Sequence, residues 1–347
     1  MDARVNPITL STLTPARTAA WDDYVRQHPD GSFFHLAGWQ RVMEEGLGHR
    51  SHFLCALRGE RIVGVYPMAE VRSLLFGHNL VALPFCVYGG ILADDSDAQL
   101  ALDKAAQQLA QQLNVDALEV RNRQPVHDDW PRKSLHVTFR KAITGDAETD
   151  LNAIPRKQRA MIRKAIGNGL DHSIDESLGD FLDCYDTSVR NLGTPVFPRK
   201  YFRVLRDVFG DACEVLTIRK DGAPVASVMS FYFRDEVLPY YGGGGVLARQ
   251  LAGNDMLYWA LMKHAGERGA RLFDYGRSKI DTGAYHFKKN WGFEPQPLAY
   301  EYFLVKAKAM PDVNPLNPKY RLFIETWKKL PLPIARLIGP MLSRHLG

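Results

Sequence analysis

The 347-residue chain has only four cysteines, Cys55, Cys86, Cys184 and Cys213, and no two of them form a C-x-x-C pair. That spacing offers neither a disulfide framework nor a thiolate zinc site, so buried, reduced thiols are expected. No apolar run reaches the ~18 residues that a membrane-spanning helix needs. The start, MDARVNPITL, lacks the apolar region of a signal peptide, and a cytoplasmic location is expected. The eleven histidines show no H-x-x-x-H spacing, and neither a G-x-S-x-G elbow nor a Cys/His pair is present. Metal and covalent catalysis are therefore unsupported, and no metal is expected. The absence of a Walker A sequence and of G-x-G-x-x-G argues against kinase and dinucleotide readings.

What is present belongs to a folded globular chain, with 46% hydrophobic and 24% charged residues. Its length suggests about two domains. The formal charge of +5 is unevenly placed. Residues 154–169 hold Arg156, Lys157, Arg159, Arg163 and Lys164 with no acid, and residues 319–347 hold six basic residues against Glu325 alone. Two basic islands on an otherwise acidic body point to two local anionic contacts, with no DNA-binding face.

The two halves read alike. Residues 52–71 predict a hairpin, 80–92 a buried strand, 97–113 a helix and 116–121 a strand. Residues 214–233 again predict a hairpin, 237–245 a strand ending in glycines, 254–269 a helix and 271–276 a closing strand. A duplicated unit follows, an α/β (α+β) architecture in which each half is a mixed sheet flanked by helices. The expected domains are 1–150 and 151–308, joined near 141–157, with a basic amphipathic helical tail over 309–347. In that tail Tyr320, Phe323, Trp327 and Leu330 recur at helical spacing, and Ile334, Leu337, Ile338 and Met341 do so after Pro331 and Pro333. Either both stripes dock on the protein's own core, or they form a peripheral contact with the inner face of the cytoplasmic membrane.

Three features suit a binding site. Gly242–Gly245 end a strand and are followed by Gln250, Gly253 and a helix from Asn254. Glycines with a helix N-terminus suit phosphate, although a sterically crowded loop explains them equally. In residues 272–293, helical geometry puts Phe287 and Trp291 in the core, Lys288 at the edge of that face and Lys289 in solvent. Lys288 then either snorkels its charge toward a cleft shared with Asp274, Arg277, Tyr285 and the Gly242–Gly253 region, or stays on the solvated surface. Asp274 orients Arg277 or accepts a proton, or else caps its own loop. Arg159 and Arg163 are candidates for contact with a phosphorylated substrate, or for a plain solvated helix face.

The segment FDYGRSK-x₃-G-x-Y-x-F-K-K-N-W-G-F-E-P-Q-P-L-x-Y-E-Y (273–302) resembles the C-terminal signature of FemAB-like proteins, in particular the branch found beside exosortase (PEP-CTERM) and exopolysaccharide loci. PRKQRAMIRKA (155–165), NDMLYWALM (254–262) and WKKLPLP (327–333) extend the similarity, and FFHLAGWQ (33–40) more weakly. The resemblance implies two tandem GNAT-like domains. It implies an acyl- or aminoacyltransferase that modifies an amine of a cell-envelope precursor, such as a peptidoglycan or exopolysaccharide intermediate, without a covalent enzyme intermediate. Acyl-CoA or aminoacyl-tRNA is the implied donor, bound as substrate with no permanent cofactor. The implied partners are a phosphorylated or lipid-linked precursor and, with the second donor, tRNA. The Fem Phe-Lys pair falls on Phe287 and Lys288, and that lysine is associated with substrate and the developing oxyanion. Asp274 and Tyr285 join it as catalytic candidates, and Arg277, Ser278, Phe287, Tyr241, Arg159 and Arg163 as substrate contacts. The GNAT pyrophosphate loop falls on Gln250–Asp255, so Gly243, Gly244, Gln250, Gly253 and Asn254 are the donor candidates. Asp255 stands where that loop has a small residue. The competing class is a catalytically degenerate scaffold that binds polysaccharide precursors or their assembly machinery.

Overall fold

The computed structural model of the chain describes residues 6–73, 77–310 and 318–346, with the side chains of 318–320 outside that description. The chain divides into two compact units that are discontinuous in sequence. One is Met1–Ser134 with Leu298–Val313 and Arg344–Gly347; the other is Leu135–Pro297 with Asn314–Ser343.

The first unit contains β1 (Ile8–Thr12), β2 (Ser51–Arg58), β3 (Arg61–Ser73), β4 (Gly77–Val81), β5 (Leu92–Ala93), β6 (Ala117–Asn122) and β7 (Arg132–Lys133). Its helices are α1 (Thr18–Gln27), the short α2 (Trp39–Arg41) and α3 (Ser96–Gln112). The second unit begins with β8 (His136–Ala142), α4 (Ala147–Asn152), α5 (Arg156–Gly167), β9 (Leu170–Ile174), α6 (Gly179–Asn191) and α7 (Arg199–Phe209). It continues through β10 (Cys213–Lys220), β11 (Ala223–Phe233), β12 (Glu236–Gly244), α8 (Val246–Gln250) and α9 (Gly253–Glu267). β13 (Leu272–Asp274), β14 (Ser278–Lys279), α10 (Gly283–Asn290) and β15 (Pro295–Pro297) follow. β16 (Ala299–Leu304) belongs to the first unit, and α11 (Pro318–Lys328) and α12 (Leu332–Ser343) belong to the second.

The duplication expected from the sequence is present. The first sheet runs β1-β2-β3-β4-β6-β16-β7, and the second runs β9-β10-β11-β12-β13-β8-β14. Position by position the orders correspond, and the single parallel neighbours fall at the same place, β4 with β6 and β12 with β13. Local chemistry sets the hairpins. Asp221 and Gly222 both take positive φ between paired Lys220 and Ala223, as a tight Asp-Gly hairpin turn requires.

The domain boundaries differ from a simple halving. Each sheet receives its sixth strand from the far side of the sequence midpoint: β8 pairs with β13, and β16 pairs with β6. Val137 and Phe139 of β8 thereby enter the core of the second unit with Phe273, Trp291 and Phe293. Phe139→Ala is expected to cost about 3–5 kcal/mol, the range for a buried aromatic, although the residue lies in the first half of the chain. Urea unfolding followed by tryptophan fluorescence reads this, and a loss under 1 kcal/mol would put β8 outside the core.

The apolar run 80–92 is not the single strand that its composition predicts. β4 stops at Val81, and Leu83 and Phe85 take positive φ on either side of Pro84, whose missing N–H breaks the ladder. The run stays largely buried, and Gly89 sits against the Ala82 carbonyl, where an added Cβ would lie 2.4 Å from the oxygen. All four cysteines are free and buried, as expected.

Candidate functional site

Lys288 lies on α10, a helix opened by Thr282, whose hydroxyl accepts from the Tyr285 N–H. Its ammonium donates to the carbonyls of Tyr275, Gly276 and Arg277 at 2.7, 3.1 and 3.2 Å. The side chain is therefore more buried than its position at the helix edge predicts; half-buried Phe287 is less enclosed. Burial pulls the lysine pKa down to about 7, with Asp274 opposing and Arg277 adding to the shift. Three carbonyls for three ammonium protons make Lys288 a clamp on the loop that follows β13. Lys289 is exposed, as expected.

Asp274 is completely buried at the end of β13. Its Oδ1 accepts the Gly276 N–H at 2.7 Å, which is the loop-capping alternative drawn from the sequence, and Gly276 takes the positive φ that this turn needs. Its Oδ2 lies 3.1 Å from Nε of Arg140, a β8 residue that also pairs with Glu236. The Thr138 hydroxyl donates to Oδ1 at 3.4 Å. Sequence reasoning missed Arg140 and Thr138, since no local pattern links β8 to a loop more than 130 residues later. Tyr285 packs edge-on against Phe139, whose ring also lies 5.6 Å from the Lys288 ammonium. Phe287 meets Tyr258 and Trp291. Ser278 is buried, and its hydroxyl has no partner among the described residues; the same holds for the Tyr275 hydroxyl. Thus Asp274, Arg277, Ser278, Tyr285, Phe287 and Lys288 do gather around one loop.

The sheet opens beside that loop. β12 and β13 pair only at Glu236 with Leu272 and at Val237 with Phe273, after which β12 runs on to Gly244. Within β12 the register against β11 slips between Tyr241 and Pro239, leaving Tyr240 as a bulge. Bulges of this kind re-aim a strand and are common near sites. Tyr241 hydrogen-bonds the Tyr201 hydroxyl at 2.7 Å, within an aromatic cluster with Tyr185, Phe197 and Phe202.

The glycines answer to packing. A Cβ at Gly243 would lie 2.2 Å from Ser188 Cβ on α6, and one at Gly244 would lie 2.6 Å from Ala248 Cβ. A Cβ at Gly253 would meet Val225 at 2.9 Å. The crowded alternative accounts for all three, with Gln250 closing α8 and Asn254 in the first turn of α9. In that same turn burial raises the pKa of Asp255, and its Oδ1 accepts the Trp291 indole N–H at 3.2 Å. Gly243→Ala is expected to destabilise by about 1–3 kcal/mol, as overpacking does, with Ser188→Gly in the same chain recovering most of it. Equal melting of the single and double variants would return Gly243 to a ligand-facing role.

Arg159 donates to the Asn152 side chain at 2.9 Å, while Arg163 is exposed on α5. The start of α5 reaches the turn after α10, where a Cβ at Gly292 would lie 3.2 Å from Pro155. A separate cleft of about 600 Å³, lined by Arg203, Arg206, Asp207, Asp211, Glu214 and Arg268, contains none of the expected site residues.

Residues 156–289 match the acetyltransferase (GNAT) domain family. No curated protein sequence matches the chain. Among solved structures, FemX is similar at a TM-score of 0.66 and 15% identity, covering 91% of this chain and 100% of its own. The C-terminal domain of an Agrobacterium fabrum protein assigned as a lysylphosphatidylglycerol synthetase gives 0.55 at 13% identity, over 82% of this chain and 91% of its own. A tandem GNAT protein from the clavulanic acid biosynthesis pathway gives 0.54 at 14% identity, over 85% and 98%. The fold is therefore a tandem GNAT-like one, with both sheets mixed and flanked by helices.

Proposed function

We propose that this protein transfers an acyl or aminoacyl group to an amine of a cell-envelope or exopolysaccharide precursor, without a covalent enzyme intermediate. The observation that carries this reading is the early divergence of β12 from β13 beside a loop locked by Lys288 and Asp274. An extended acyl arm fits where the ladder stops, in the plane of the sheet and alongside main-chain groups. The GNAT match over 156–289 covers both walls of that opening. The exopolysaccharide (PEP-CTERM) setting rests on the resemblance of 273–302.

In this reading each side chain has a role. Lys288 and Asp274 hold the loop, and half-exposed Arg277 places a cation there for the anionic part of a substrate. The Ser278 hydroxyl supplies a donor to the developing oxyanion. Tyr285 and Phe287 wall the loop, whereas Tyr241, expected as a substrate contact, is taken up by the aromatic cluster with Tyr185, Tyr201 and Phe202. The amine must be neutral to attack. That costs roughly 4–5 kcal/mol for a lysine-like acceptor and about 1 for an α-amine near pKa 7.7–8.0. Positioning contributes ~7–11 kcal/mol, which makes a strong base unnecessary.

An aminoacyl donor fits better than acyl-CoA. Gly243, Gly244 and Gly253 are filled by the protein's own packing, and the Asp255 carboxylate occupies the first turn of α9, where the resemblance places pyrophosphate. Arg159 and Arg163 remain candidates for the phosphates of a precursor or tRNA. Engagement of both Lys288 and Asp274 by the loop also suits a silent scaffold. Incubation of the protein with aminoacyl-tRNA, acetyl-CoA and amine acceptors, read by mass spectrometry, separates the readings. Transfer from the aminoacyl donor is expected. No transfer from any donor, together with thermal stabilisation by a glycan precursor, would favour the scaffold.

A further inference from the structure

The tail of the second unit has two faces with different fates. Trp327 of α11 is 2% exposed, and Ala335, Gly339 and Ser343 of α12 are buried. Both helices pack on α6 and its C-terminal turn. Gly193 after α6 lies against Ile324, and Gly339 lies against Val196. Arg336 pairs with Asp186 and Asp183 at 2.8 and 2.5 Å, and Arg190 donates to the carbonyls of Lys328 and Leu330 at 3.4 and 3.2 Å. These contacts fix which side of each helix faces outward. Of the two expected stripes, the first is partly docked through Trp327, while Phe323 stays 41% exposed; Tyr320 falls outside the described side chains. In the second stripe Ile338 is half-buried, while Ile334, Leu337 and Met341 stay exposed.

On the outward side Leu337 is 75% exposed, Met341 69%, Ile334 44% and Leu322 78%. Five of the fifteen exposed large apolar side chains of the described residues lie on these two helices. At 3.6 residues per turn, Ile334, Leu337 and Met341 fall within an arc of about 60°, opposite the buried small residues. Exposed Arg321 directly precedes Leu322 and exposed Lys329 follows it by seven residues, about two helical turns, and Glu325, the sole acid of α11 and α12, is paired with Lys328 at 2.8 Å. No helix among the described residues is long and apolar enough to cross a membrane.

We infer that the outward face of α11 and α12 is a docking surface for an anionic lipid bilayer, lying flat at the headgroup level. Charge selects the occupant. A bilayer bearing phosphatidylglycerol-type headgroups complements Arg321 and Lys329, whereas an isologous contact with a second copy would set these cations against themselves. Exposed apolar side chains flanked by basic groups are what an interfacial helix needs, and each basic group near an anionic leaflet strengthens partitioning about fivefold. The inference is independent of the transfer activity, since none of these residues belongs to the candidate site.

The test is co-sedimentation of the full chain with vesicles of phosphatidylcholine alone or with added phosphatidylglycerol. Binding to the anionic vesicles alone is expected, weakening with salt. Leu337→Asp with Met341→Asp should abolish it, and Arg321→Glu with Lys329→Glu should weaken it by at least about tenfold. A control, Leu100→Asp on α3, should bind normally. Because all these side chains are exposed, melting temperatures should stay near that of the parent, which separates lost binding from unfolding. Absence of binding, equal binding to neutral vesicles, or unchanged binding by the double aspartate variant would overturn the proposal. So would a dimer in light scattering that the aspartates dissociate, since that assigns the face to a second copy.

Discussion

Replacement of Lys288 by alanine is expected to lower acyl transfer by a factor of about 10², the scale of a small misplacement of the site. The physical cause is the three carbonyls of Tyr275, Gly276 and Arg277, which lose their shared ammonium and with it the fixed course of the loop. Lys289→Ala, on the exposed side of the same helix, should turn over normally. A pH series adds a readout specific to this buried amine. Its folded pKa is lowered to about 7 from 10.5, so between those values the unfolded chain holds more protons than the folded one. Stability should therefore rise with pH across that window. It should be lost again as pH falls to about 7, where both states are charged and burial of the charge weighs fully. Lys288→Met should flatten that slope. Unchanged turnover in Lys288→Ala, with a pH slope equal to that of Lys288→Met, would leave this buried lysine no part in transfer.

Asp274→Ala should destabilise the second unit by about 3 kcal/mol, the lower end for breaking a buried ion pair. The low end applies because Arg140 keeps Glu236 as a second partner. The substitution also strips the Gly276 N–H of its acceptor, so transfer should fall along with stability. A double-mutant cycle with Arg140→Met, measured by urea unfolding, isolates the pair. A coupling under about 0.5 kcal/mol would mean that the two side chains act independently.

Much of the molecule was legible in its residues because the signals are local. The hairpins over 52–71 and 214–233, the second turning at Asp221–Gly222, and the helices over 97–113 and 254–269 each draw on neighbours a few positions away. Repetition of those signals at a near-constant offset gave the duplicated architecture. The family signature around 273–302 drew attention to one loop, and Asp274, Ser278, Tyr285, Phe287 and Lys288 do converge there. Proline and positive φ at Leu83 and Phe85 defeated the strand expected over 80–92, where an apolar run had no period to distinguish a strand from a buried loop.

Other features were decided only by tertiary structure. Whether Lys288 reaches solvent or turns inward depends on three carbonyls 11–13 residues away that happen to converge on it. Helical angle alone places it only at an edge. Whether glycine at 243 admits a ligand or a neighbouring helix depends on Ser188, 55 residues earlier. The arginine that meets Asp274 arrives on β8 because the two sheets take strands from opposite sides of the chain's midpoint. The tail stripes show the division most plainly. Periodicity makes each helix two-faced, but Asp183, Asp186 and Val196 determine which face is spent on the protein and which is left outward. Sequence fixes what each segment is able to bury, since that follows from side-chain chemistry and local geometry. The partner that buries it is set by packing between residues far apart in the chain, and no local pattern encodes that choice.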